Sequence, residues 1–173
     1  ATSDPAEKER LAKLAVEMQD KRIRFFGNDP KYPKAYILGE KGLAYIDFYG
    51  DAKVSEAREC LRQSVEGMGA ASKIMVLVKL VDVSYAVYKQ DPNGKAEQFI
   101  ADYELASNAL AEQASNTNNK NAEIAGKQKD YVDNIFAISG AADCSKLDEI
   151  YAAAVKDNLT NLDMLTKIAK LYK

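Results

Sequence analysis

Few residues in this 173-residue chain are of types and spacings that support chemistry, and one type is missing: there is no histidine. That absence removes serine–histidine and cysteine–histidine nucleophile pairs, imidazole acid–base work and most zinc and non-haem iron sites. Carboxylates and lysines remain available. Two cysteines, Cys60 and Cys144, are too few for a zinc cluster or a disulfide framework. Cys144 stands at an expected helix start, where unsatisfied N–H groups lower a thiol pKa. Asp143 and Asp148 oppose that effect, so an inert thiol, or a disulfide to a cysteine outside this chain, fits better. Cys60 lies on an apolar face and reads as core.

The other chemical candidates are weaker still. Lys79 and Asp82 stand three apart on an otherwise apolar helix, which makes either an inward polar site or a solvated ion pair. Ten tyrosines invite an aromatic binding strip with Tyr36, Tyr85 and Tyr88, although most of the ten fall at core spacing. Asp47 and Asp51 bring two carboxylates close, short of the ligand number a calcium loop needs. Asn158-Leu159-Thr160 fits the glycosylation acceptor pattern, a triplet common by chance. We expect no metal site and no cofactor.

Composition bounds the partners. Hydrophobic residues make up 47% and charged residues 29%, ordinary for a folded domain. A net charge of −2 lacks the basic footprint of nucleic-acid binding. The most apolar stretch, Ile74 to Tyr88, contains Lys79 and Asp82 and is too short to span a bilayer, so we expect no membrane insertion. The chain opens Ala-Thr-Ser-Asp-Pro, without an initiator methionine or an apolar signal segment. Processing or truncation is the expectation, with export to a periplasm or cell envelope if a signal was removed and a cytoplasmic site otherwise.

The elements that must position these residues read as eight helices and no strand. Asp4, Pro5 and Glu7 open the first, whose Leu11, Leu14, Ala15, Met18 and Phe25 share one face. Gly27 to Pro30 stops it. The second, from about Tyr32 to Tyr49, carries two apolar stripes, as a helix sandwiched between neighbours does. The third presents Ala57, Cys60, Leu61, Ser64, Val65 and Met68, and the fourth, Ser72 to Lys89, is apolar nearly all round and should be the most buried. Asp91-Pro92-Asn93-Gly94 reads as a type I turn. The fifth helix shows Ala96, Phe99, Ile100, Tyr103, Ser107 and Leu110; the asparagine-rich stretch Ala114 to Asn121 is a loop; the sixth holds Ile124, Tyr131, Ile135 and Ile138. Ser145 starts a seventh helix and Thr160 an eighth.

Helix pairs recur at roughly 35–45 residues, the period of a stacked array. Within it, Ala35 to Gly69 resembles a tetratricopeptide repeat: Gly42 and Tyr45 match the small-then-aromatic positions of that family's first helix, and Ala57, Leu61 and Ser64 match its second. The chain departs from the pattern in a longer inter-helix turn around Asp51 to Val54 and in Gly69, where proline is usual. Later units, Ala70–Ala114 and Asn121–Lys156, match only in scattered places.

The resemblance implies an all-α fold, a right-handed α-α superhelix of stacked antiparallel helical hairpins with Ala70–Lys89 at its centre. Residues 1–173 form a single domain, similar to divergent tetratricopeptide-like bacterial proteins and expected to be a fragment of a longer one. The function it implies is a non-enzymatic module that binds a protein or peptide partner on its concave face. Tyr36 and Asp47 are the candidate binding residues, with Lys79 and Lys89 in the next unit. A helical array binding a small molecule, or the helical domain of a carboxylate-based enzyme, is the alternative; a deep closed pocket would favour either.

Overall fold

The computed structural model describes residues 4–141 and, beyond them, 155–156, 159–162, 165–166 and 169. Over 4–141 it is all-helical, with six α-helices and no strand: α1 Pro5–Phe26, α2 Lys34–Tyr49, α3 Val54–Met68, α4 Ile74–Gln90, α5 Pro92–Ser115 and α6 Ala122–Ser139. Short 3₁₀ turns, Gly50–Lys53 and Gly69–Ala71, lead into α3 and α4. Cys144 and the helix expected from Ser145 lie outside the described residues, as does most of the helix expected from Thr160.

Local chemistry explains the punctuation. Asp4 accepts the Ala6 N–H at 3.0 Å and Pro5 fills the first helical position. Helices α2 and α3 both stop at a glycine of positive φ, Gly50 at 53° and Gly69 at 52°, a conformation that costs any residue with a Cβ. One expectation is corrected here. Asp91-Pro92-Asn93-Gly94 is no free turn but the first turn of α5, with Asp91 Oδ1 accepting the Gly94 N–H at 3.0 Å. The residues that favour a type I turn also favour an N-cap followed by proline, and a long amphipathic stretch behind them decides for the helix.

Each helix packs on the next and, from α2 onward, on the next but one. Helix α1 touches only α2 among the described elements. Glycines set the approach of α2 and α3: a Cβ on Gly39 would lie 2.7 Å from Ser64 Oγ, and one on Gly42 only 2.6 Å from Leu61 Cγ. As α2 runs forward its contacts in α3 run backward, so the pair is antiparallel. Tyr88 and Ser84 of α4 meet Phe99 and Asp102 of α5 in the same reversed order. Tyr103 of α5 stacks on Phe136 of α6, centroids 4.0 Å apart.

Helix α4 has nine of its 17 residues buried, a larger fraction than any other described helix, as its all-round apolar character predicts. Two expected faces rotate. In α1 the buried residues are Ala12 and Val16, while Leu11, Leu14, Met18 and Phe25 are exposed. In α6 the core takes Ala125, Val132 and Phe136, and leaves Ile124, Tyr131 and Ile138 in solvent. Both helices carry apolar residues on two sides, and periodicity alone does not say which side has a neighbour.

Candidate functional site

The packing order puts α2, α4 and α6 side by side, with α3 and α5 joining them from behind. Asp82 of α4 accepts the Tyr131 hydroxyl of α6 at 3.0 Å, and Glu40 of α2 accepts the Lys73 ammonium at the start of α4 at 2.9 Å. These bridges fix a common outer face. On it, at helical spacing, stand Tyr36, Glu40, Leu43 and Asp47 from α2, and Met75, Lys79, Asp82 and Ala86 from α4. Helix α6 adds Ile124, Tyr131 and Ile138.

Its chemistry is mixed. Met75 (55% exposed), Ile124 (51%), Tyr131 (45%) and Ile138 (76%) are apolar side chains left wet among the described residues. Between them the charges are paired. Lys79 donates to Asp82 at 2.9 Å, and the hydrogen bond to that carboxylate holds the Lys79 pKa above its ordinary value. The Tyr131 hydroxyl is shifted up too, by partial burial first and by donating to Asp82 second. Lys73 lies over the Tyr36 ring, 4.9 Å from its centroid, and its pKa is raised by Tyr36 and then Glu40.

The four residues proposed from sequence are placed as follows. Tyr36 is half-buried on this face, between Lys73 and the Tyr32 ring at 5.6 Å. Asp47 is exposed on the same side of α2, close enough to Lys79 to raise its pKa. Lys79 is part of the Asp82 pair, so that pair is a half-buried surface bridge. Lys89 stands apart at the end of α4, exposed, 4.8 Å from the Tyr85 ring centroid. Three of the four therefore share a face, and Lys89 stands apart from it in the last turn of α4. Sequence reasoning missed Met75 and Glu40: Glu40 is a charge on an apolar helix, seven residues before Asp47, whereas Met75, an apolar residue four before Lys79 in an apolar helix, carries no signal of its own.

Behind this face lies a polar cluster that sequence reasoning also missed. Asp102 of α5 is fully buried and accepts from Arg58 Nε at 2.6 Å, Arg62 Nη1 at 2.7 Å and Ser84 Oγ at 2.6 Å. It ties α3, α4 and α5 together. With no exposed surface and three donors on its two oxygens, this carboxylate is out of reach of a substrate and ties the helices together. A second network joins α5 to α6, where Asp133 accepts from Tyr103, Ser107 and Lys129. Cys60 is half-buried, and burial pushes its thiol pKa up, away from nucleophilic use. Among the described residues no group of three or more histidine, cysteine or carboxylate side chains is placed to hold a metal, and no helix is long and apolar enough to cross a membrane.

No family model, no curated protein and no solved structure matches the chain.

Proposed function

We propose that this chain is a non-enzymatic binding module, an array of tetratricopeptide-like hairpins in a right-handed superhelix, which holds a protein segment on the face formed by α2, α4 and α6. One observation carries the reading: Met75, Ile124, Tyr131 and Ile138 are exposed together beside charges already neutralised in pairs. Such a face offers apolar anchors at low desolvation cost, the composition of an interface core with a polar rim. The neighbour-and-next-neighbour packing of the helices supports the hairpin array, in which alternate helices line one surface. The seating of Gly42 against Leu61 and Ala57 supports the likeness to the tetratricopeptide pattern.

The test is selection of peptides from a random display library against the intact chain. Selected peptides are then titrated into isotopically labelled protein. Binding should perturb amides at Tyr36, Asp47, Met75, Lys79 and Tyr131, and the Met75→Ala, Tyr131→Ala double variant should bind at least ~30-fold more weakly at unchanged fold, the scale of two modest interface anchors. Peptides that bind the double variant as well as the intact chain, or that perturb α3 and α5 instead, would remove this face from consideration.

A further inference from the structure

Helix α1 has an uncovered apolar side. Ala12 and Val16 are buried toward α2, the one described element that α1 touches. Leu11, Leu14, Met18 and Phe25 are exposed at helical spacing on the opposite side. This stripe is about 21 Å long at the usual rise of about 1.5 Å per residue. It ends in two consecutive aromatics, Phe25 at 68% and Phe26 at 58% exposed, with Tyr32 exposed just past the turn. The turn itself is closed by hydrogen bonds. The Asp29 N–H donates to the Phe26 carbonyl at 2.9 Å, and the Lys34 N–H donates to the Gly27 carbonyl at 2.8 Å. The aromatic tip is thereby fixed against the start of α2.

The same end of the helix collects positive charge. Residues 20–34 carry five cations, Lys21, Arg22, Arg24, Lys31 and Lys34, against two carboxylates, in a chain whose net charge is −2. Of those carboxylates, Asp20 is taken by Lys41 of α2 at 2.6 Å, and Asp29 accepts the Lys31 N–H at 2.8 Å. Lys21, Arg24, Lys31 and Lys34 have no ion pair among the described residues, and Arg22 donates to the neutral Gln19 at 2.7 Å. Two of these cations lie over the exposed rings, Arg24 at 5.5 Å from the Phe25 centroid and Lys31 at 5.3 Å from that of Tyr32. The N-terminal end of the stripe is locally neutral, because Glu7 holds Arg10 at 2.8 Å. Apolar surface and unbalanced positive charge therefore coincide at one end of α1.

We propose that the outer side of α1 and the turn after it seat on an anionic lipid bilayer, with the helix lying in the plane of the headgroups. Leu11, Leu14, Met18, Phe25 and Phe26 enter the boundary between headgroups and acyl chains, and Lys21, Arg22, Arg24, Lys31 and Lys34 reach the lipid phosphates. No described helix is long and apolar enough to cross a bilayer, so the contact is peripheral. A second copy of the chain fits this surface less well. Parallel stripes would set Lys21 against Lys21. The antiparallel register that sets Lys21 against Glu7 carries Phe25 and Phe26 past the start of the second copy's helix, which begins at Pro5. A nucleic acid would use the cations and rings and leave Leu11, Leu14 and Met18 wet. This seat is separate from the α2–α4–α6 face and does not depend on peptide binding there.

The experiment is co-sedimentation of the intact chain with lipid vesicles. Vesicles of phosphatidylcholine with about one third phosphatidylserine should remove the chain from solution, and pure phosphatidylcholine should hold it at least about tenfold more weakly. Raising the salt to about 0.5 M should release most of the bound protein. Lys21→Gln, Arg24→Gln removes two unpaired cations and should weaken partitioning about 30-fold, and Phe25→Ala, Phe26→Ala should weaken it at least about tenfold. All four side chains are exposed, so both double variants should unfold in urea as the parent does. Equal partitioning onto the two kinds of vesicle, parental partitioning of either double variant, or no lipid-dependent depletion would each overturn the proposal. So would a dimer of the intact chain that Phe25→Ala, Phe26→Ala abolishes, or capture by a single-stranded oligonucleotide more tightly than by the anionic vesicles.

Discussion

Asp102 and Asp82 each accept one hydroxyl and at least one cation, yet they sit in opposite surroundings. Asp102 is sealed between α3, α4 and α5 with Arg58, Arg62 and Ser84 on its oxygens. Asp82 lies half-exposed on the α2–α4–α6 face with Lys79 and Tyr131. Burying a charge is tolerable only when its lone pairs are filled, so the core cluster must form whole or not at all. On the face, water can replace any missing partner. One kind of interaction thus fixes helix register in the core and remains exchangeable at the surface.

The largest effect should come from breaking the core member of this comparison. Asp102→Ala leaves the buried Arg58 guanidinium without its carboxylate and should cost about 3–5 kcal/mol, read from urea unfolding. A loss under about 1 kcal/mol would mean that the cluster is hydrated in solution. Next comes the close helix contact in front of it. Gly42→Ala drives a Cβ to within 2.6 Å of Leu61 Cγ and should cost about 1–3 kcal/mol, less if Leu61 changes rotamer.

The exposed member should respond much less. Asp82→Asn weakens the bridge to Lys79 and should change stability by less than about 1 kcal/mol. A larger loss in the same unfolding assay would show that the face behaves as core. Alkaline titration sharpens the contrast. Lys79 and Tyr131 both have folded pKa values above their ordinary 10.5 and 10.0. Their contribution is complete below the unfolded pKa and disappears as pH rises through the folded one. The parent should therefore lose stability above roughly pH 10 more steeply than an Asp82→Asn, Tyr131→Phe variant. The smallest effect belongs to Lys127→Ala, which removes a fully wetted pair with Glu123 and should stay within about 0.5 kcal/mol.

Much of the fold is legible residue by residue. Capping by Asp4, the stops at Gly50 and Gly69, and the burial of α4 all follow from local chemistry and periodicity. The Arg58–Asp102 pair was not read, although each member left a trace. Arg58 interrupts the apolar run Val54, Leu61, Val65, and Asp102 interrupts Phe99, Ala106, Ala109. Two opposite charges on buried stripes, 44 residues apart, become a pair only once α3 and α5 are known to touch.

For the six described helices the sequence by itself determined their type and, apart from the start of α5, about where they stop, because capping, helix-breaking glycines and apolar spacing act over a few residues. Tyr36, Asp47, Lys79 and Lys89 became candidate contacts through the resemblance, which puts Tyr36 and Asp47 on the concave side if Gly42 takes the small position of the tetratricopeptide pattern. Which of two apolar sides is covered was decided only by tertiary packing. Helices α1 and α6 bury Ala12 and Val16, and Val132 and Phe136, while larger side chains such as Phe25 and Ile138 stay wet. Burial depends on the area a neighbour covers, and that neighbour is supplied by residues far along the chain.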